Sequence, residues 1–186
     1  MFSGYYGGNC WICSGYMILT FDKKSGEVKD ITPRPFNKVW TPMDTKDLNK
    51  NGIPELLILD GRLEMIDGLS HAGSPYSKIV YGWSKKKGKY VHKARFFGDF
   101  YERKIKEALQ VVRKSYSEEH KYEFIKSWFE LLLHLKHSSS SPWKEFKEYW
   151  NKYSEENFPY SLENIRIGME RSGIIISGPE DNNEES

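Results

Sequence analysis

Asp47-Leu48-Asn49-Lys50-Asn51-Gly52-Ile53-Pro54-Glu55-Leu56-Leu57-Ile58-Leu59-Asp60 holds two kinds of sequence in one stretch. From Leu56 to Leu59 it is a short apolar run, bounded by Pro54 and Gly61, as expected of a central strand covered on both faces. Ahead of that run, oxygen-bearing side chains occupy alternate positions: Asp47, Asn49 and Asn51 at 1, 3 and 5, with Gly52 at 6. Such oxygens converge on a hard cation when the backbone curls around it, and a glycine at 6 permits the sharp turn. Position 7 offers the carbonyl of Ile53 and position 9 the side chain of Glu55. Ca²⁺ takes 6–8 oxygens, with water filling the gaps. An EF-hand does not fit, because position 12 is Ile58, where that motif needs a bidentate Glu. Asx side chains also bond their own backbone without any ion, so a metal-free turn is the competing reading. Asp44 and Asp60 lie near enough in sequence to add an oxygen.

Outward from this loop, the first half of the chain has period two and many turns. Residues 16–21 read as a mostly buried strand, Lys23 to Gly26 as a turn and Glu27 to Ile31 as the returning strand. A second hairpin runs from Lys78–Trp83 through Lys85-Lys86-Lys87-Gly88 to Tyr90–Phe96. From Asp99 the period becomes 3.6. Asp99 and Glu102 have capping-box spacing ahead of an Ile105, Ala108, Leu109 and Val112 stripe. A longer helix follows Ser117, with Phe124, Trp128, Leu131, Leu132 and Leu135 on one face. Ser141-Pro142 opens a third helix, with Trp143, Phe146, Trp150 and Tyr153 as an aromatic stripe more typical of core than of a groove. A fourth runs from Ser161 to a stop at Gly173. The expected fold class is therefore α+β: an N-terminal antiparallel β-sheet of blade-like hairpins over residues 1–98, then a C-terminal helical bundle over 99–178. Residues 179–186 form an acidic, disordered tail.

The segment from Asp47 to Leu56 resembles the Asp-x-Asp/Asn-x-Asp-Gly-x-x-Asp/Glu-Leu calcium loop of FG-GAP and VCBS-type repeats. The resemblance implies a structural Ca²⁺ between two strands of a propeller blade, held by Asp47, Asn49, Asn51, the Ile53 carbonyl and Glu55, in a protein that is exported or on the cell surface. With Asn at 49 and 51, two formal charges face the ion where family members commonly have three or four. Binding is then expected to be weak, on the order of the 10⁻⁴–10⁻³ M of extracellular modules. One copy of the loop occurs, so this chain cannot form a complete propeller.

Composition narrows the remaining classes. The chain has 186 residues, 28 Lys+Arg against 26 Asp+Glu and a net charge of +2, which disfavours nucleic acid as a partner despite Lys85, Lys86, Lys87 and Lys89 at one hairpin tip. No run approaches the ~20 apolar residues of a membrane helix, and Met1 to Tyr5 lack the basic and apolar regions of a signal peptide. Cys10-Trp11-Ile12-Cys13 admits three chemistries. These are a redox dithiol, a zinc site completed by His71 or His92, and a short-loop disulfide or reduced pair fixing the glycine-rich start. A Cys10–Cys13 disulfide suits an exported protein and so agrees with the family resemblance. No nucleophile elbow, Walker loop, zincin or dinucleotide fingerprint is present. Neither His71 between serines nor the acids Asp60, Glu64 and Asp67 specify catalysis. The expected role is a non-enzymatic, periplasmic or extracellular binding or scaffold module that meets a protein or glycan partner, with a cytoplasmic location left open. The alternative is a thiol-disulfide redox protein.

Overall fold

The computed structural model describes residues 2–5, 14–33, 43–70, 73–93, 96–156 and 158–174. Antiparallel sheets come first and helices follow, so the protein is α+β. The chain divides into two compact units: Met1–Gly61 with Lys78–Ala94, and Arg62–Ser77 with Arg95–Ser186. Among the described residues, no helix is long and apolar enough to cross a membrane.

Within the β unit, β1 (Phe2–Tyr5) pairs antiparallel with β2 (Ser14–Met17), and β3 (Leu19–Phe21) with β4 (Val28–Asp30). The turn after β3 is held by Asp22, whose Oδ1 accepts from Lys24 N at 2.8 Å. The expectation of one mostly buried strand over 16–21 is corrected here. The run splits at Ile18, and Met17, Leu19 and Phe21 are exposed, Phe21 by 60 %. Among the described residues β3 pairs only with β4, and a two-stranded ribbon by itself buries little. The principal sheet has the order β5 (Met43–Lys46), β6 (Glu55–Asp60), β7 (Ser77–Ser84), β8 (Lys89–His92). β5 and β6 pair antiparallel with Lys46 opposite Glu55, and β7 and β8 do so with Trp83 opposite Tyr90. β6 is the interior strand read from the sequence: Leu56, Leu57 and Ile58 are all buried. Tyr81 and His92 form a cross-strand pair, as do Trp83 and Tyr90, with ring centroids 5.7 and 5.4 Å apart.

The helical unit is organised around α2 (Lys121–Ser138), with α1 (Gly98–Val112), α3 (Pro142–Tyr153) and α4 (Leu162–Arg171) all in contact with it. The sequence stripe gave α2 one apolar face. In the structure Ile125, Phe129 and Leu133 are buried as well as Phe124, Trp128, Leu131, Leu132 and Leu135, because neighbours cover the helix on several sides. Trp128 packs on Phe146 and Trp150, so the aromatic stripe of α3 is core. Residues 62–77 contribute Leu63 and Leu69 to this core, a role that no local periodicity announced.

Helix ends divide between agreement and correction. Ser161 caps α4, its Oγ accepting from Asn164 N at 3.1 Å, and the helix stops at Gly173 with φ of 70°. Asp99 does not cap α1: the helix begins at Gly98, Phe97 holds the cap position, and Asp99 sits in the first turn. There its negative charge still faces the positive end of the helix dipole.

Candidate cation loop

The Asp47–Glu55 loop leaves β5 and returns into β6, so a paired strand anchors each end. Its curl comes from side chains that accept main-chain N–H groups. Asp47 takes Asn51 N on Oδ1 at 3.0 Å and Gly52 N on Oδ2 at 2.9 Å. Asn49 Oδ1 accepts from Asn51 N at 3.1 Å, and Asn51 Oδ1 from Ile53 N at 2.8 Å. Positions 1, 3 and 5 therefore turn inward on successive residues of one turn. Lys50 and Gly52 adopt φ of 58° and 81°, and at Gly52 the absence of Cβ removes the strain.

Glu55 closes the loop. It is 3 % exposed, its Oε2 accepts from Leu48 N at 2.8 Å and its Oε1 from Asn49 Nδ2 at 3.0 Å. A buried carboxylate must be paired or well hydrogen-bonded, and this one meets that requirement by turning back onto positions 2 and 3 of its own loop. Tyr90 donates its hydroxyl to the Pro54 carbonyl at 3.2 Å, tying β8 to the end of the loop. Burial raises the Tyr90 pKa, and the nearby negative charge of Glu55 adds to the effect.

The sequence-predicted ligands Asp47, Asn49, Asn51, Ile53 and Glu55 thus fall in one compact turn. Each accepting oxygen keeps a second lone pair, and the two carboxylates add negative charge, so the donor chemistry suits a hard cation. The set rests on two carboxylates, with amides and a carbonyl supplying the remainder. Among the described residues no three His, Cys, Asp or Glu side chains gather into a metal site. Asp44 is engaged elsewhere: its Oδ2 is 3.2 Å from Lys78 Nζ, and this contact holds its carboxyl below the ordinary range. Asp60 stands at the far end of β6, five strand positions or roughly 16 Å from Glu55. Cys10, Cys13, His71 and the acidic tail lie outside the described residues, while His92 is exposed on β8 beside Tyr81.

A cleft of ≈ 390 Å³ opens beside the loop. Its lining combines Asn49, Asn51, Ile53 and Glu55 of the loop with Trp83 and Ser84 at the end of β7, Lys85 and Lys86 of the following turn, and Lys93. Lys93 Nζ donates to the Trp83 carbonyl at 2.9 Å. Among the described residues, no carboxylate comes within ion-pair distance of Lys85 or Lys86.

A second polar constellation, in the helical unit, was not foreseen. Ser77 Oγ and His134 Nδ1 are 2.9 Å apart, and Glu130, one turn earlier on α2, accepts from Tyr76 N at 3.2 Å. Burial holds His134 neutral, with its pKa pushed down to about 3, and raises that of Glu130. A serine beside a neutral imidazole has the contact of a nucleophile and its base, and here both groups are buried. Its only sequence signal was a histidine next to Leu135 in the helix predicted after Ser117.

Comparison with known proteins finds no matching family model, characterised protein or solved structure.

Proposed function

We propose that this protein is a non-enzymatic binding or scaffold module, exported to the periplasm or cell exterior, that carries one structural Ca²⁺ in the Asp47–Glu55 loop. The observation behind this reading is the direction of the Glu55 side chain. Its buried carboxylate turns back onto Leu48 and Asn49, so the oxygens of positions 1, 3, 5 and 9 belong to the same turn. Bound there, the ion would neutralise Asp47 and Glu55 and lock the connection between β5 and β6. The β3–β4 ribbon, with Leu19, Phe21 and Val28 exposed, offers apolar surface suited to a protein or glycan partner.

The test is thermal unfolding of the full chain in 10 mM Ca²⁺ and in EGTA. For a dissociation constant of 10⁻⁴–10⁻³ M, binding to the native state alone adds about 1.4–2.7 kcal/mol. A rise in Tm of several degrees is expected with Ca²⁺, and none in Asp47→Ala. An unchanged Tm in the parent protein overturns the calcium reading.

A further inference from the structure

We infer that the cleft beside the loop binds a carboxylate-bearing saccharide, whose carboxylate completes the coordination of the loop cation and pairs with Lys85 and Lys86. The inference rests on the calcium reading above and adds a ligand to it. It begins with a shortage of oxygens. The loop supplies five groups, and so five oxygens when each coordinates through one atom. Ca²⁺ takes 6–8 oxygens, so at least one position is left for a ligand from outside the loop.

Charge then selects the ligand. Asp47 and Glu55 together neutralise one Ca²⁺, leaving Lys85, Lys86 and Lys93 uncompensated around the cleft. Lys93 is held on the Trp83 carbonyl, whereas Lys85 and Lys86 have no carboxylate partner among the described residues. An anion bridging the ion and these lysines satisfies both at once. Size and polarity narrow the class further. At ≈ 390 Å³ the cleft lies within the range of small-molecule sites and far exceeds what one carboxylate fills. The Asn51 amide N–H groups and the Ser84 hydroxyl offer hydrogen bonds suited to hydroxyl groups, and the lining includes the aromatic Trp83.

Calorimetric titration of the full chain with galacturonate, in 5 mM Ca²⁺ and in EGTA, tests the inference. Binding is expected in Ca²⁺, at least tenfold weaker in EGTA and at least tenfold weaker in Lys85→Ala/Lys86→Ala, with neutral galactose showing none. The double variant should keep the Ca²⁺-dependent rise in Tm, since neither lysine belongs to the loop. A Ca²⁺-dependent Tm with no galacturonate binding overturns this inference and leaves the calcium reading standing. No Ca²⁺ effect on Tm overturns both. Galacturonate binding indifferent to EGTA or to loss of the lysines removes the bridging role, and equal binding of galactose or tighter binding of adenosine monophosphate overturns the ligand class.

Discussion

Ser77 Oγ lies 2.9 Å from His134 Nδ1, with both side chains almost wholly removed from water. Burial disfavours the imidazolium, and charge repulsion from the directions of His137 and Lys104 disfavours it further. The folded pKa of about 3 lies below the unfolded value of 6.5, so the unfolded chain takes up a proton that the native state refuses. Stability from this group is present above pH 6.5 and is lost as pH falls toward 3, at about 1.4 kcal/mol per pH unit. Glu130 acts with the opposite sign, because its raised pKa favours proton uptake by the native state. Urea unfolding at pH 7.0 and 4.5 should therefore show the parent protein losing about 2–3 kcal/mol more than His134→Gln. Equal losses would show that His134 is protonated readily in the fold.

Gly168 on α4 faces Phe129 of α2. A Cβ at this position would stand 3.1 Å from the Phe129 ring and 3.0 Å from Ile66 Cδ1. Alanine is the better helix former by about 1 kcal/mol, but Phe129 is fully buried and has little room to give. Overpacking costs about 1–3 kcal/mol, so Gly168→Ala is expected to lower Tm despite its propensity gain. A rise in Tm would show that α4 can shift away from α2.

Glu55→Gln changes one atom at the closure of the loop. Glutamine accepts only through its carbonyl oxygen, so either Leu48 N or Asn49 Nδ2 meets an NH₂ donor instead of an acceptor. Leaving a buried donor unsatisfied costs about 1–3 kcal/mol. The variant should melt earlier than the parent in EGTA and should also lose the stabilisation by Ca²⁺. Parent-like melting in both media would remove Glu55 from the loop's support.

The two helix starts make a matched comparison. Ser161→Ala removes an observed cap and should cost about 1 kcal/mol in chemical denaturation. Asp99→Ala removes only a first-turn charge, worth about 0.3–1 kcal/mol at low salt and less as salt rises. The salt dependence distinguishes them: the Ser161 effect should persist in 0.5 M NaCl and the Asp99 effect should shrink.

What could be read from the residues is what local chemistry controls. Pro54 and Gly61 bracket β6, Gly88 ends the lysine tip with φ of 59°, and Ser161 and Gly173 mark the limits of α4. The loop spacing likewise predicted which side chains share a turn. The remainder depends on partners distant in sequence. Met17, Leu19 and Phe21 are as apolar as Leu56, Leu57 and Ile58 of β6, but among the described residues only β4 pairs with β3, so composition could not reveal their exposure. Ile125, Phe129 and Leu133 fall outside the amphipathic stripe and are buried because other helices reach them. Asp99 has a cap's spacing, yet the helix starts one residue earlier.

Leu63 and Leu69 belong to the core of the helices, though they stand 35 and 29 positions ahead of Gly98, where the first of those helices begins. During ribosomal synthesis they emerge well before any helix exists to cover them, and strands β7 and β8 are made in the interval. Cutting the gene where the periodicity changes, at residue 98, would leave these leucines on the N-terminal product and a gap in the C-terminal one. The shortest fragment able to complete the helical core must begin no later than Arg62, and so must carry β7 and β8 with it.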